Sequence, residues 1–535
     1  MSYVFKGDLD NINEQQKEFI SEALRKQNYT GTEVNVENVG KKGDNYGSQV
    51  KRIKVQCGNG KEFRMIAKII PDAMKMQTQM NATDIFINEA VLFNEVLPKF
   101  KEMQIKFGLP EKDVLKYPLC YGTTMETNSE IILLEDLVMS NFTMLDKAKT
   151  LNNETVKLVL KDVAKFHGMS YVLRYKEPQM LDKLLNSLFN PMFDPKNFDQ
   201  SKMFFEQIAR EVITICDSSK YRNIIVDIMQ NLTTPWKKII ASDKGTKYSI
   251  IQHGDLWTNN IMFQIQNNQP VKCIFLDYQM SRDSLPPSDI HYFIFNCTDY
   301  ETRSKHYHEW MDYYHSELDR FLNYFGLKAS YIYPRDKFDA DLKRYGKASL
   351  GTSFFVLNIT LRETQEAGDL VFEDDEQIPM FKMGAVMEKT KEAIKNRIEG
   401  LIQMSNIMRV EITIFVIMLT SAVTLKFVED DLLLFWRRTD TGPCEPFTTF
   451  RMQCNRCVCS ADATLFCTKM FCGKPVTFFN ILATRGHRRA AQGTPSAFRY
   501  DRSDSRVVKS RQDTCTHFTK DIHTSTKISF LFATV

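Results

Sequence analysis

Two carboxylates and an amide, spaced along residues 249–279, are the groups in this chain best suited to do chemistry. Ser249 to Phe263 reads SIIQHGDLWTNNIMF: an apolar strand leads into His253-Gly254-Asp255, and Asn260 follows Asp255 by five positions. Phosphoryl transfer needs a carboxylate to orient and deprotonate the attacking hydroxyl, and a nearby amide oxygen to help hold a metal. A second apolar run, Cys273 to Leu276, ends in Asp277-Tyr278-Gln279. An aspartate at the end of a strand just past such a loop is where magnesium bridging nucleotide phosphates is held. His-Gly-Asp alone is an ordinary turn. The whole pattern, H-x-D, four residues, Asn, apolar strand and second Asp, is specific to a phosphotransferase site.

Such a site needs a cation on the phosphates. Lys68 lies in Ile66-Ala67-Lys68-Ile69, a strand in which an unpaired charge would be costly, and Glu89 on the helix that follows is its natural partner. The pair would aim Lys68 at the α- and β-phosphates of ATP. The turn from Gly40 to Ser48, with Gly43 and Asn45, has glycines that let backbone N–H groups approach phosphates, although a plain hairpin turn has the same composition. His253 is expected to brace the loop by hydrogen bonding and His167 to be a core histidine on a helix. Trp257 either lines a substrate pocket or packs beneath the loop.

The elements that must position these groups follow from periodicity. Glu14 to Gln27 reads as an amphipathic helix, and Val34 to Val55 as two strands joined by a turn. Phe63 to Ile70 reads as a strand, Ile85 to Leu97 as a helix closed by Pro98, and Ile131 to Leu134 as a short buried strand. From Asn153 the pattern is mostly helical, with helices at 154–171, 202–216, 218–231, 304–325 and 384–404 and short apolar strands at 250–251, 261–263 and 273–276. The fold class expected is α+β, two-lobed, with a small β-rich N-lobe over residues 1–137, a larger helical C-lobe over 138–407 and a cleft between them.

The segment His253 to Phe263 resembles the HGDxWxxNxMF signature of the insect ecdysteroid-kinase-like (CHK kinase-like) family, relatives of choline and aminoglycoside kinases. The resemblance extends over about residues 5–405. It takes in Gly43-Asp44-Asn45-Tyr46, Phe86-x-x-Glu89 with Leu97-Pro98, Leu134-Glu135-Asp136-Leu137, Phe166-His167 and Asp277-Tyr278-Gln279. It implies a protein-kinase-like fold with Asp255 as catalytic base, Asn260 and Asp277 as Mg2+ ligands, and Lys68 with Glu89 as the phosphate-positioning pair. It also implies that Glu135 and Leu137 flank the adenine of ATP, and that Asp289 steadies the backbone below the catalytic loop.

Composition sets the bounds. The 535 residues are 43% hydrophobic and 25% charged, the balance of a core-forming protein. A net charge of +4 gives no reason to propose a nucleic-acid partner. Five cysteines (Cys57, Cys120, Cys216, Cys273, Cys297) are scattered without metal-ligand spacing, which fits a reducing cytosol, and no targeting signal opens the chain. Six more crowd between Cys444 and Cys472 as C-x9-C-x2-C-x-C-x7-C-x4-C. So short a segment cannot bury a sufficient core without cross-links, so three disulfides are expected, in any of 15 pairings, rather than zinc.

That spacing resembles the light-chain domain of the pacifastin family of secreted serine-protease inhibitors. The resemblance implies pairings Cys444–Cys459, Cys454–Cys472 and Cys457–Cys467. It also implies a reactive bond between Lys469 and Met470, directed at a trypsin-like serine protease. The chain departs from the family in having no glycine between Cys459 and Cys467 and in having Phe447 after Pro446, departures that bear on inhibitory strength.

The region before the module, 408–443, holds an apolar signal-like or anchor segment, Ile412 to Leu425, shorter than a membrane span needs, and a linker. The module occupies 444–473 and a tail expected to be disordered occupies 474–535. A cytosolic kinase region beside an extracellular module points to two coding regions joined in one reading frame; a membrane-anchored fusion is the alternative, so membrane attachment is left open. The function expected is an ATP-dependent kinase acting on a hydroxyl of an ecdysteroid or other hydroxylated small molecule. The alternatives are protease inhibition by the C-terminal module and a kinase-fold binding protein without turnover.

Overall fold

The computed structural model describes residues 3–29, 33–40, 48–56, 62–70, 82–190, 198–366, 369–371, 380–382 and 384–405, and the strand backbones 435–437, 449–452, 455–459 and 465–468. The chain divides into two units, Met1–Ile417 and Met418–Val535.

The first unit opens with a six-stranded sheet in the order β1-β2-β3-β4-β6-β5. Its strands are β1 (Val4–Gly7), β2 (Glu33–Asn38), β3 (Gln49–Gln56), β4 (Glu62–Ile69), β5 (Cys120–Thr124) and β6 (Ile131–Glu135). β1 and β2 run parallel and the other neighbours antiparallel. Helix α1 (Glu14–Lys26) starts at a capping box in which Asn13 accepts from the N–H of Gln16 at 2.9 Å and Gln16 accepts from the N–H of Asn13 at 3.0 Å. Its Ile20 and Leu24 pack on Val34, Val36, Ile53, Val55, Met65, Ala67 and Ile69. Successive side chains of a strand face opposite sides, so once Met65, Ala67 and Ile69 are committed to α1, Ile66 and Lys68 must face the other way. That opposite face looks toward the helical lobe.

The chain crosses that face as α2 (Ala82–Val91), a π turn (Leu92–Val96) and α3 (Leu97–Lys106). Pro98 therefore does not end the helix. Leu97 N–H bonds back to Leu92 O, a five-residue step, and Pro98 falls in the first turn of α3, where the absence of an N–H costs little.

The larger lobe contains the short strand β7 (Phe142–Met144), helices α4 (Asn153–Lys176), α5 (Pro178–Asn186), α6 (Phe198–Ile215), α7 (Arg222–Gln230) and α8 (Thr233–Asp243), then strands β8 (Ile250–Gln252), β9 (Ile261–Gln266), β10 (Gln269–Phe275) and β11 (Arg282–Ser284). Helices α9 (Pro287–Cys297), α10 (Tyr300–Asn323), α11 (Ala329–Ile332), α12 (Arg335–Thr360) and α13 (Glu388–Ser405) complete it, with a short hairpin, β12 (Asp369–Val371) and β13 (Met380–Lys382), between the last two. β9 pairs with β10 and β7, and β8 with β11. One continuous core runs from Phe86 and Phe93 of the N-lobe helix through Phe166 of α4 to Trp310 and Phe321 of α10. Gly168 lets α4 and α10 approach closely, since a Cβ there would stand 2.6 Å from the ring of Phe321. The mixed α+β, two-lobed architecture is the one expected. Strands β1, β5, β7 and β11, helices α3, α5, α8, α9, α11 and α12 and the β12–β13 hairpin are additions to the elements expected.

Cys120, Cys216, Cys273 and Cys297 are free thiols. Among the described residues no helix is long and apolar enough to cross a membrane. The segment 412–425, the residues 474–535, Cys57, Cys444, Cys454, Cys472, Lys469 and Met470 lie outside the described residues. In the second unit four short strands, β14 (Phe435–Arg437), β15 (Thr449–Met452), β16 (Asn455–Cys459) and β17 (Leu465–Thr468), form a sheet ordered β14-β17-β16-β15. Their register sets Cys457 directly opposite Cys467.

Candidate active site

β8 delivers the chain into His253-Gly254-Asp255 under tight steric limits. Gly254 has φ +87°, and a Cβ there would lie 2.1 Å from the carbonyl oxygen of Met280. Only glycine fits both conditions. Gly254→Ala is expected to destabilise the first unit by about 3 kcal/mol; a denaturation midpoint equal to that of the wild type would contradict this close approach.

The loop is held from below by Asp289 in the first turn of α9. Its carboxylate accepts from the N–H of His253 at 2.6 Å and of Gly254 at 2.8 Å, and lies 3.1 Å from His167 Nε2. His167 Nδ1 in turn meets the Tyr314 hydroxyl at 2.8 Å. Burial alone would raise the Asp289 carboxyl, but the bonds from His167 and from the loop hold it below the usual carboxylate range. His253 Nε2 contacts Leu276 O at 2.9 Å, which ties the catalytic loop to the strand ending at Asp277, and burial lowers its pKa. Both histidines are thus buried structural groups away from the reacting face. Trp257 is buried in the main core, which places it beneath the loop.

Asp255 and Asn260 face each other. Asn260 Nδ2 donates to Asp255 Oδ2 at 2.9 Å and to its carbonyl at 2.8 Å, while the Tyr292 hydroxyl donates to Asp255 Oδ1. Burial, with the charge of Asp277 added, pushes the Asp255 carboxyl up to about 6. That value lies near neutrality, where a general base works best.

Lys68 closes the site from the N-lobe. It pairs with Glu89 of α2 and reaches Asp277 at 2.9 Å. Burial would lower the lysine, but Asp277 and Glu89 together raise it above its usual range, so it stays charged. Burial pushes the Glu89 carboxyl up while Lys68 draws it down, and their direct contact is that of an ion pair. Asp277 adopts φ +63°, ψ +68°, a left-handed conformation rarely taken by non-glycine residues and concentrated at functional sites. Tyr278 beside it is buried, edge-on to Phe93 and 4.9 Å from the ring of His253, and so anchors this turn.

At the lobe junction Glu135 accepts from the N–H of Leu119 at 3.2 Å and from Ser140 at 3.0 Å. The side chain of Leu137 packs against Phe142 and Ile274, with Met262 and Leu276 alongside. Asp136 between them pairs with Arg52 of β3 at 2.6 Å. Gly43 and Asn45 lie outside the described residues. Thus Lys68, Glu89, Asp255, Asn260 and Asp277 meet in one cleft. Tyr292 and Arg52 were not singled out by sequence reasoning, whereas Asp136 stood in the Leu134-Glu135-Asp136-Leu137 motif without its partner Arg52. For Tyr292 a signal existed, because it lies three positions after Asp289 on a helix and so shares its face.

The donor set suits magnesium. Asp277 offers a carboxylate and Asn260 an amide oxygen, and among the described residues no group of three His, Cys, Asp or Glu is assembled that would cage an ion. Magnesium binds through one or two protein groups and takes its remaining ligands from water and phosphates.

The family model described as "Ecdysteroid kinase-like family" matches residues 42–327. The chain belongs to the ecdysteroid kinase-like family. The pacifastin inhibitor (LCMII) model matches residues 443–477. A search of curated proteins finds no match. Among solved structures, the chain is similar to a choline/ethanolamine kinase family protein from Mesorhizobium loti, with 11% identity, a TM-score of 0.34, and coverage of 73% of this chain and 96% of the other. It is also similar to aminoglycoside 2'-phosphotransferase-IIIa in its GDP complex, with 10% identity, TM-score 0.32 and coverage of 65% and 91%. A third is macrolide 2'-phosphotransferase from Brachybacterium faecium, with 11% identity, TM-score 0.27 and coverage of 64% and 97%. Membership of the ecdysteroid kinase-like family supports a small-molecule phosphotransferase.

Proposed function

We propose that the first unit is an ATP- and magnesium-dependent kinase that phosphorylates a hydroxyl of an ecdysteroid or another hydroxylated small molecule. The observation that carries this reading is the convergence of Lys68 and Glu89 from one side of the cleft with Asp255, Asn260 and Asp277 from the other. Asp255 orients the acceptor hydroxyl and takes its proton. Lys68, kept charged by Glu89, engages the nucleotide phosphates. Asp277 and Asn260 hold the magnesium, which supplies charge neutralisation at the phosphates. Glu135 and Leu137 flank the adenine, and Gly43 and Asn45 belong to the loop over the phosphates. A cytosolic setting suits this chemistry.

The full chain, incubated with ATP labelled at the γ-phosphate and a panel of hydroxylated steroids and glycosides, should label at least one acceptor. The Asp255→Ala variant should label none. Absence of transfer from the wild type across the panel would favour a binding protein instead.

A second reading concerns the C-terminal module. The pacifastin match and the placement of Cys457 opposite Cys467 support a disulfide-linked inhibitor of a trypsin-like serine protease with Lys469-Met470 as its reactive bond, acting outside the cell.

A further inference from the structure

We propose that Tyr292 is a positioning residue for the base, one that fixes Asp255 Oδ1 and leaves Oδ2 to take the proton of the acceptor. The inference rests on the reading of Asp255 as general base. Each oxygen of the Asp255 carboxylate has its own donor, the Tyr292 hydroxyl on Oδ1 and Asn260 Nδ2 on Oδ2. The two donors are not equivalent. Asn260 is shared with the metal site and bonds the Asp255 carbonyl as well. Among the described residues Asp255 is the one hydrogen-bond partner of the Tyr292 hydroxyl, and burial beside Asp255 raises its pKa well above the ordinary value, so it remains a donor. It is therefore the fixed contact and Asn260 the exchangeable one.

Tyr292 is also rigidly mounted. It lies one helical turn after Asp289 on α9, so a single helix holds both the backbone of the catalytic loop and its reactive side chain. Asn296, a further turn along, donates to the Tyr292 carbonyl at 2.8 Å. In the transfer step the acceptor's O–H bond breaks to Asp255 Oδ2, and the acceptor oxygen bonds to the γ-phosphorus. The bond from that phosphorus to the bridging oxygen of ADP then breaks, with ADP leaving. Tyr292 keeps its proton throughout. Its contribution is orientation, and small misplacements of a reacting group lower rates steeply.

Tyr292→Phe removes the hydroxyl and keeps the ring. In the full chain, with an acceptor that the wild type phosphorylates, kcat should fall about tenfold while KM for ATP stays within about twofold. A merely structural role would move both constants or neither. A second measurement needs no acceptor: the Tm of Tyr292→Phe, Asp255→Ala and the double variant. If the hydroxyl acts through Asp255, Tyr292→Phe lowers Tm in the wild type and has little effect in the Asp255→Ala background. Transfer by the wild type with kcat unchanged in Tyr292→Phe overturns the inference alone, and additive Tm changes overturn the contact. Absence of transfer from the wild type counts against the kinase reading, and the Tm comparison then decides the contact by itself.

Discussion

Asp255→Asn is expected to lower kcat by about 10³-fold, the scale of a positioned general base, and at the same time to make the protein more stable above pH 6. The two effects share one cause. Burial beside Asp277 pushes the carboxyl up to about 6, whereas in an unfolded chain it titrates near 3.9. Between about pH 4 and 6 the unfolded chain has released this proton while the folded chain keeps it. The unfolded state thus binds fewer protons, so the wild type loses stability as pH rises through that window and does not regain it above. The difference in pKa corresponds to about 3 kcal/mol, of which an asparagine making part of the same hydrogen bonding would recover about 1–2 kcal/mol. Denaturation from pH 4 to 8 should show the two proteins alike at the acid end and separated by pH 6. Curves that stay parallel would remove the buried-carboxylate account, and retained transfer would remove the assignment of the base.

Asp289→Ala should be among the most damaging single changes to the fold. It leaves the N–H groups of His253 and Gly254 and the Nε2 of His167 without their acceptor in the interior. Breaking a buried charged network by removing one partner costs about 3–5 kcal/mol. Because the His167 and loop contacts depress the Asp289 pKa in spite of its burial, its contribution is present above about pH 4 and is lost as pH falls through the lowered folded value. Urea titration at neutral pH measures the loss directly. Stability equal to that of the wild type would mean that the loop is held by something other than this carboxylate.

The legible parts of the fold were those with local signals. Strand alternation marks β4 and places Lys68 on the face away from α1, and helix spacing puts Glu89 across from it. Helix α12 shows why other parts were missed. Phe338, Ala348, Leu350, Phe354 and Phe355 spread around all its sides, and it is buried on most of them, so it lacks the single apolar stripe that marks a surface helix. Strands β1 and β5 are short and mixed in polarity, and β1 becomes a strand by pairing in parallel with β2. Pro98 reads as a stop because its missing N–H breaks the ordinary ladder. The π turn ahead of it, supported by packing of Phe93 and Leu97 in the core, removes that cost.

The carboxylates and amide at residues 255, 260 and 277 could therefore be picked out from the sequence alone, because residue type and short spacings along one loop and one strand mark them. Which oxygen of Asp255 is held, and by what, was decided only by tertiary structure. Tyr292 comes 37 positions later, and only the docking of α9 beneath the loop brings its hydroxyl to Asp255. Lys68 and Asp277, separated by 209 positions, meet for the same reason: the core that joins the N-lobe helix to the helical lobe brings the two lobes together and leaves these charges facing each other across the cleft.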